Sequence, residues 1–519
     1  MPPPARPLPP ELRTGPPRVL LVMAHPRPDS FCAALADAYA QGAAAAGAEL
    51  RRLDLQALVF EPDVLVPAPQ DQALEPDLAE ATRLVAWAEH LVFVFPTWWG
   101  TMPARLKGFL DRVLVPGFAF ADRDDGEGWD RLLTGRTAHL VTTMDTPPWV
   151  HRWIYRAPGL NALDRATLGF CGVAPVRRTV FGPVKDSSAA QRTSWLEEVR
   201  RSGLALRDGA LTAAERRRRR LAAWVASFRL QFHPMAWAAY ALGALGAVAS
   251  GVSFNASVFV LGFACLFFLE LATVFTNDRF DYDSDVLNRH HGPFTGGSRV
   301  LVDGSISLDG LQAATMLALG LFAASTLALA VLVPPLPALP LLGILAVLAL
   351  GYTVPPLQLC WRGLGELDVG VTHSLGVVLC GWVFQGGSFN DPWPWLVALP
   401  LFLAILPAIV LSGIPDHDAD RAVGKGTLAV RFGPGAAVVI AEAATLAAAL
   451  AAVLVLPALL GRGILAATLV LVVPYALFQV VRLERYRRRG LAPRRIDGLM
   501  AVALTYILWF VALPLAWVA

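Results

Sequence analysis

The chain has 519 residues, 55% of them hydrophobic and only 16% charged, with a net charge of +3. It is too apolar for an ordinary soluble enzyme, so part of it belongs in a membrane, and so small a positive excess gives no reason to expect a nucleic-acid partner. Cys32, Cys171, Cys265, Cys360 and Cys380 lie far apart with no CxxC, which argues against a disulfide framework and a zinc site.

In chain order, residues 1–17 are proline-rich and lack the apolar stretch of a signal peptide. They are expected to form a disordered tail, which leaves the N-terminal half in the cytoplasm. Residues 18–206 alternate β-branched runs ("RVLLVMAHP", "HLVFVFPTWWG", "TAHLVTTMD", "VRRTVFGPV") with amphipathic helical segments. Near-continuous apolar strands separated by helices predict an α/β doubly wound parallel sheet. Such sheets bind ligands beyond the carboxyl ends of their strands, which singles out "AHPRPDSFC", "FPTWWGTMP" and "TTMDTPPW".

No GxGxxG follows the first strand, so a permanently bound dinucleotide is not expected. Ser30, Phe31 and Cys32 open a helix whose free N–H groups suit a phosphate. Trp98 and Trp99 beside Gly100 offer flat surface to a planar ring, as a flavin would need. The same residues equally suit Ser30 as a plain helix cap and the tryptophans as core.

"VMAHPRPDSFCAAL", "VFPTWWGTMPARLKGFLDRVLVPGFAF" and "LGFCGV" resemble the flavodoxin-like NAD(P)H:quinone oxidoreductases of the DT-diaphorase type. The resemblance implies a flavin, FAD or FMN, with His25, Ser30, Phe31 and Cys32 at its phosphate end. It implies Pro96, Thr97, Trp98, Trp99 and Gly100 along the isoalloxazine, with Thr142 and Thr143 touching it from the next loop. NAD(P)H and a quinone would use one pocket in turn, and a homodimer through this half is raised by the same likeness. The tyrosine and histidine that some relatives carry after the "TT" strand have no counterpart at matching spacing, although His151 and Tyr155 stand nearby.

Residues 207–232 form a basic linker. Arg216 to Arg220 fall just before the first apolar helix, where positive charge marks the cytoplasmic side and attracts anionic lipid at roughly 1 kcal/mol per basic residue. From 233 to 519, apolar stretches near 234–253, 256–276, 310–333, 337–353, 366–386, 394–412, 434–460, 463–481 and 497–518 predict nine membrane-spanning helices. The second, fourth, sixth and eighth connections carry nearly all the arginine and lysine, which predicts a multi-pass protein of the inner, cytoplasmic membrane with its active sites on the cytoplasmic side.

At the end of the second stretch, "TNDRFDYDSD" places Asp278, Asp281 and Asp285 within about 60° of one another on a helix, with Asp283 turned away. "GIPDHDADRAVGKGTL" repeats the theme with Asp416 and Asp420. A carboxylate in a bilayer costs roughly 2.5–3.5 kcal/mol, so such clusters belong in a wet cavity with cations. Oxygen-only donors suit Mg²⁺, which commonly bridges to phosphates.

Asn277-Asp278-x-x-Asp281-x-x-x-Asp285 and Asp416-x-x-x-Asp420, with Lys425 after it, resemble the two aspartate motifs of the UbiA superfamily of intramembrane prenyltransferases. The resemblance implies Mg²⁺ held by Asp278, Asp281, Asp416 and Asp420, with Asp285 also catalytic. Asn277, Arg362 and Lys425 would bind the diphosphate of a polyprenyl donor, and an aromatic, quinol-type acceptor would be the partner. The run "GGSRVL…G.IS" is more similar to 1,4-dihydroxy-2-naphthoate prenyltransferases of menaquinone synthesis than to the 4-hydroxybenzoate branch. A fused reductase would then supply or maintain the quinol. The alternatives are a 4-hydroxybenzoate or homogentisate acceptor, with the first half a flavin-binding regulatory module without turnover, or a lipid-binding protein in place of the transferase.

Overall fold

The structure is a computed structural model that describes residues 15–122, 128–208, 211–492 and 494–518. Most of the expected proline-rich tail, residues 1–14, lies outside them. The chain divides into two compact units, residues 1–219 and 220–519.

In the first unit, strands β1 (Arg18–Met23), β2 (Glu49–Asp54), β3 (His90–Pro96), β6 (Thr137–Thr143) and β7 (Val176–Phe181) form a five-stranded sheet in the order 2-1-3-6-7. Every neighbouring pair is parallel. A short antiparallel hairpin, β4 (Phe120–Asp122) and β5 (Trp129–Arg131), stands apart. Alternation along β1 explains the two layers. Leu20 and Val22 point into a core with Leu78, Leu84, Leu106 and Phe109 from α2 (Pro76–Trp87) and α3 (Ala104–Val113). Val19, Leu21 and Met23 point the other way, into a core with Leu35 and Tyr39 of α1 (Phe31–Ala45) and Val199 of α5 (Ala189–Leu204). Both faces are covered, so β3 and β6 are buried at every position. The edge strand β2 carries Arg51 and Arg52, which discourage pairing with another chain. The short helix α4 (Pro158–Asn161) lies between β6 and β7, and α6 (Ala213–Ser227) runs across the division between the units.

The second unit is helical: α7 (His233–Ala249), α8 (Ala256–Phe280), α9 (Tyr282–Leu287), α10 (Leu308–Leu332), α11 (Pro335–Gly351), α12 (Gly365–Val371) and α13 (Val377–Phe384). It continues with α14 (Pro392–Val423), α15 (Leu428–Phe432), α16 (Pro434–Leu460), α17 (Gly463–Ala467), α18 (Val473–Arg488) and α19 (Asp497–Val518). Of the expected nine spans, 7 among the described residues are helical stretches of 18 or more residues that are long and apolar enough to cross a membrane. The other two expected stretches are helical but short, α7 with 17 residues and the apolar segment Leu336–Gly351. At 1.5 Å per residue, 17 residues reach about 25 Å, the short end of the roughly 17–25 residues with which helices cross a hydrocarbon core.

The lipid-facing character is plainest on α10, where Leu317, Leu327 and Val331 are exposed on a helix that is apolar all round. Inside, α7 and α13 approach until backbones touch. A Cβ on Gly243 would lie 2.0 Å from the Val378 carbonyl oxygen, and one on Gly381 would lie 2.1 Å from that of Tyr240. Small residues are what membrane helices use to pack this closely.

Candidate functional site

A cavity of about 540 Å³ opens within the second unit. One end is polar, lined by Arg229, Asn277, Asp281, Asp285, Asp416, Asp420 and Lys425; the rest is mainly apolar, with Phe263, Leu266, Leu345, Ile405 and Leu504 among its walls. The polar end is built where α8 stops. Asp281 has left helical geometry (φ −92, ψ 5) and the chain restarts as α9, which keeps Asp281 and Asp285 buried while Asp283 is exposed. From the other side, α14 brings Asp416 and Asp420, and the left-handed cap Gly424 turns the chain so that Lys425 points back inward.

Lys425 joins the two motifs. Its Nζ donates to Asp281 Oδ2 at 2.8 Å and stands 3.7 Å from Asp420 Oδ1. Burial alone would lower its pKa, but the two carboxylates outweigh that and hold the ammonium well above its usual value. Asn277 Nδ2 donates to the same Asp281 oxygen at 2.8 Å, and Asn288 Nδ2 donates to Asp416 Oδ1 at 2.6 Å. Asp285 is pushed up to about 7 by burial, then by the charges of Asp281 and Asp278.

Two expected residues are placed apart from those that line the cavity. Asp278 is buried but does not line the cavity; Oδ1 accepts from Ser298 N at 3.1 Å and Oδ2 meets the Ser298 hydroxyl. Its carboxylate anchors the loop after α9. Arg362 is exposed, donates to the Pro356 carbonyl at 2.8 Å, and does not reach the cavity. The run "GGSRVL", expected to report on the acceptor, acts closer to home. Gly297, at φ +70, lies so near Asp285 that a Cβ there would be 2.1 Å from Oδ2. The loop presses on the aspartates because that residue has no side chain.

Arg229 is a cavity residue that the sequence does not single out. It lines the cavity and its Nη1 donates to Asn277 Oδ1 at 3.3 Å, from a left-handed conformation (φ 51) between α6 and α7. In sequence it is one more arginine in a basic linker. Tyr352 also lines the cavity, from the stretch "GYTVPPLQLCWRGLGEL" that the resemblance matches to the family's tyrosine- and basic-residue-containing loop.

The donor set suits a hard divalent cation. Asp281, Asp285, Asp416 and Asp420 supply oxygen alone, and Asp281 Oδ1 is buried without a hydrogen-bond partner. Among the described residues no three acidic, imidazole or thiol groups converge tightly enough to hold a metal as they stand; Lys425 stands between Asp281 and Asp420 instead.

In the first unit, the loops after β1, β3 and β6 meet at one edge of the sheet. Ser30 caps α1, accepting from Ala33 N at 3.2 Å. Trp98 and Thr101 close a tight turn through mutual backbone hydrogen bonds of 2.9 and 3.0 Å, with Trp99 at φ 52 and Gly100 at φ 75. The tryptophans are not core: Trp98 is 45% exposed and Trp99 fully so. His25 packs edge-on against Trp98, with ring centroids 5.6 Å apart, and burial together with Arg27 lowers its pKa. A neutral His25 is a hydrogen-bonding group and not a charge for phosphate.

The threonine hydroxyls turn inward. Thr142 bonds Thr97 at 2.7 Å, and Thr143 meets Cys32 Sγ at 3.2 Å. Burial pushes the Cys32 thiol up to about 11. Phe31 packs on Trp195, at a centroid distance of 6.1 Å. These side chains shape the edge from beneath, and Pro96 ends β3 there. What faces outward is the helix N-terminus and the aromatic turn, which suits a planar, phosphate-bearing ligand. His151 is buried with Nε2 unpartnered, whereas Tyr155 is exposed.

Two membrane-side acidic motifs joined by a lysine over an apolar cavity, and a doubly wound sheet with an aromatic loop, define a two-part enzyme class. The family model for UbiA prenyltransferases matches residues 235–508, and the model for a flavodoxin-like fold matches residues 17–202. The chain therefore belongs to the UbiA prenyltransferase family, fused to an NAD(P)H quinone oxidoreductase-like domain. The first half is 29% identical over 215 residues to ribosyldihydronicotinamide dehydrogenase (quinone) of Rattus norvegicus, covering 35% of this chain and 90% of that protein. The protein of the same name from Pongo abelii is 31% identical over 186 residues, covering 30% of this chain and 77% of its own. The apo structure of a UbiA homologue from Aeropyrum pernix is 22% identical and covers 54% of this chain and 96% of its own, with a TM-score of 0.41.

Proposed function

We propose that the second unit transfers a polyprenyl group from an allylic diphosphate to an aromatic hydroquinone, of the 1,4-dihydroxy-2-naphthoate type used for menaquinone, and that the first unit reduces quinones with NAD(P)H. The observation that carries the transferase reading is Lys425, held between Asp281 and Asp420 at the polar mouth of a largely apolar cavity. Asp281, Asp285, Asp416 and Asp420 are the residues to hold Mg²⁺, which when bound would neutralise the diphosphate leaving group. Lys425 and Arg229 add fixed positive charge at the same end, and Asn277 orients Asp281. The apolar walls keep water from the allylic cation and give the isoprenoid chain room to lie. The basic connections argue for the polar mouth on the cytoplasmic side.

The first unit would hold a flavin, FMN or FAD, along the Trp98–Gly100 turn and the N-terminus of α1; bound there, it would pass hydride from NAD(P)H to a quinone. A quinol ring is a good carbon nucleophile and its quinone is not, so the two halves on one chain raise each other's supply. The test is mass spectrometry of products from the purified chain given Mg²⁺, a polyprenyl diphosphate and an oxidised naphthoquinone acceptor, with and without NAD(P)H. Prenylated product only with reductant is expected. No diphosphate release with any aromatic acceptor would overturn the transferase reading, and equal product without reductant would overturn the coupling.

A further inference from the structure

Deeper in the same cavity stands a second polar group that the diphosphate end does not use: Glu270, His233, His373 and Asp368. Glu270 precedes Asn277 by seven residues on α8, which at 1.5 Å per residue places it roughly 10 Å farther from the mouth along the helix. A carboxylate at membrane depth, in the run "LFFLELATVF", persists where it faces a cavity and has partners.

Hydrogen-bond geometry fixes the protons. His233 Nε2 lies 2.6 Å from the Phe228 carbonyl oxygen, which can only accept, so Nε2 carries a proton. His233 Nδ1 lies 3.0 Å from Glu270 Oε2, within ion-pair distance but without an aligned hydrogen bond. On the facing segment, Thr372 Oγ1 donates to the Asp368 carbonyl at 2.8 Å and therefore accepts from His373 Nδ1 at 3.0 Å. That leaves His373 Nε2 as a lone pair, 4.0 Å from Glu270 Oε1. Two acceptors facing each other across such a gap call for a donor from outside the chain. Asp368 points the same way: it is 6% exposed, lines the cavity, and its Oδ1 has no partner. His373 sits in a π-helical turn, Thr372–Gly376, an irregularity frequent at functional sites.

From this juxtaposition we infer that Glu270, His373 and Asp368 dock the hydroxyl groups of the aromatic acceptor and select the hydroxyl-bearing, reduced ring over its quinone. A phenolic O–H donates into the notch between Glu270 Oε1 and His373 Nε2, and a second hydroxyl has Asp368 Oδ1 available. A quinone carbonyl brings only more lone pairs against these acceptors. His233 is a positioning residue that packs its imidazole beside the Glu270 carboxylate. The inference rests on the aromatic-acceptor reading above and deepens it.

Equilibrium binding by calorimetry on the full chain in detergent, with 1-naphthol and 1-methoxynaphthalene as probes, tests it without turnover. Wild type is expected to bind 1-naphthol about tenfold or more tightly than the ether, as loss of one hydrogen bond to a buried acceptor implies. Glu270→Gln and His373→Ala should each abolish that preference, and Glu270→Gln should raise the acceptor KM while leaving the KM for prenyl diphosphate within about twofold. Equal binding of the two probes to wild type, or an unchanged preference in both variants, overturns the inference. So does a Glu270→Gln chain that is less heat-stable yet as selective. Diphosphate release by wild type is measured alongside: its absence with naphthol selectivity intact sinks the transferase reading and leaves the docking site standing.

Discussion

Lys425 Nζ lies 2.8 Å from Asp281 Oδ2, although 144 residues separate them. Both side chains are about nine-tenths buried, so the pair has lost most of its hydration and each depends on the other. Lys425→Met should remove the cation that stands between Asp281 and Asp420, and destabilise the second unit by about 3–5 kcal/mol. Added Mg²⁺ should then raise the variant's thermal midpoint more than that of wild type, because the ion replaces lost charge. Equal Mg²⁺ responses in a thermal scan would show that the cation does not bind between these carboxylates.

Asp278 and Asp281 are three residues apart and look equivalent in the motif, yet their oxygens are differently employed. Asp278 is committed to Ser298, whereas Asp281 lines the cavity with Oδ1 unpartnered. Asp281→Asn should raise the Mg²⁺ concentration needed for half-maximal diphosphate release at least tenfold, about 1.4 kcal/mol. Asp278→Asn should act chiefly on stability, by about 1–3 kcal/mol, through the loosened loop. A Mg²⁺ titration that moves equally for both variants would assign Asp278 to the metal after all.

Gly297→Ala combines two faults: a left-handed φ of +70 and a Cβ that would meet Asp285 Oδ2 at 2.1 Å. Asp285 has to move or the loop has to lift, and diphosphate release should fall about tenfold or more. Gly320→Ala, where nothing lies within 4 Å of the added Cβ, is the control and should leave activity unchanged. Similar activities in the two variants would show that the loop is not part of the site.

Trp99 is fully exposed at the tip of the turn after β3, so removing it costs no packing. Trp99→Ala should change stability by no more than about 0.5 kcal/mol, as at other open surface positions. If the turn carries the flavin ring, the same substitution should weaken flavin binding about three- to tenfold, the worth of one aromatic contact. Unaltered flavin affinity, measured by fluorescence quenching, would move the ring elsewhere.

What the sequence reveals and what it hides follow from the range of the interactions. The parallel sheet is legible because β1, β3 and β6 are buried on both faces and so are mainly apolar, with buried polar side chains such as His90 and His139 held by hydrogen bonds. The meeting of Asp281, Asp285, Asp416 and Asp420 is legible because local spacing puts each pair on one face of its segment. The Asp278–Ser298 contact is not legible, because Ser298 lies on a loop whose path no periodicity encodes. Arg229 and Arg362 mislead in opposite directions, since an arginine's reach depends on where its backbone points, and Arg229 points inward from a left-handed residue. Apolar composition marks where a helix lies but not where it ends, so it does not reveal that α7 has only 17 residues. Glu270 leaves one readable signal: a lone carboxylate in an apolar run asks for a partner and a cavity.

The first unit carries its own pH signature. His139 is 4% exposed in β6, its Nε2 2.9 Å from the Thr179 hydroxyl; burial, with Arg177 nearby, lowers its pKa to about 4 from the usual 6.5. In the window between those values the unfolded chain binds a proton that the folded chain refuses. Stability therefore rises with pH there, and acidification from 6.5 to 4 removes up to about 3 kcal/mol. Glu215 works in a lower window. Burial would raise its pKa, but Arg177 and Thr212 outweigh this and bring it to about 2, so its contribution is present above the unfolded value of 4.5 and lost as pH falls through 2. Urea unfolding of the first unit between pH 7 and 5 should thus show a slope that His139→Gln flattens and Glu215→Gln barely changes. A slope unchanged by His139→Gln would place the protonation on another group.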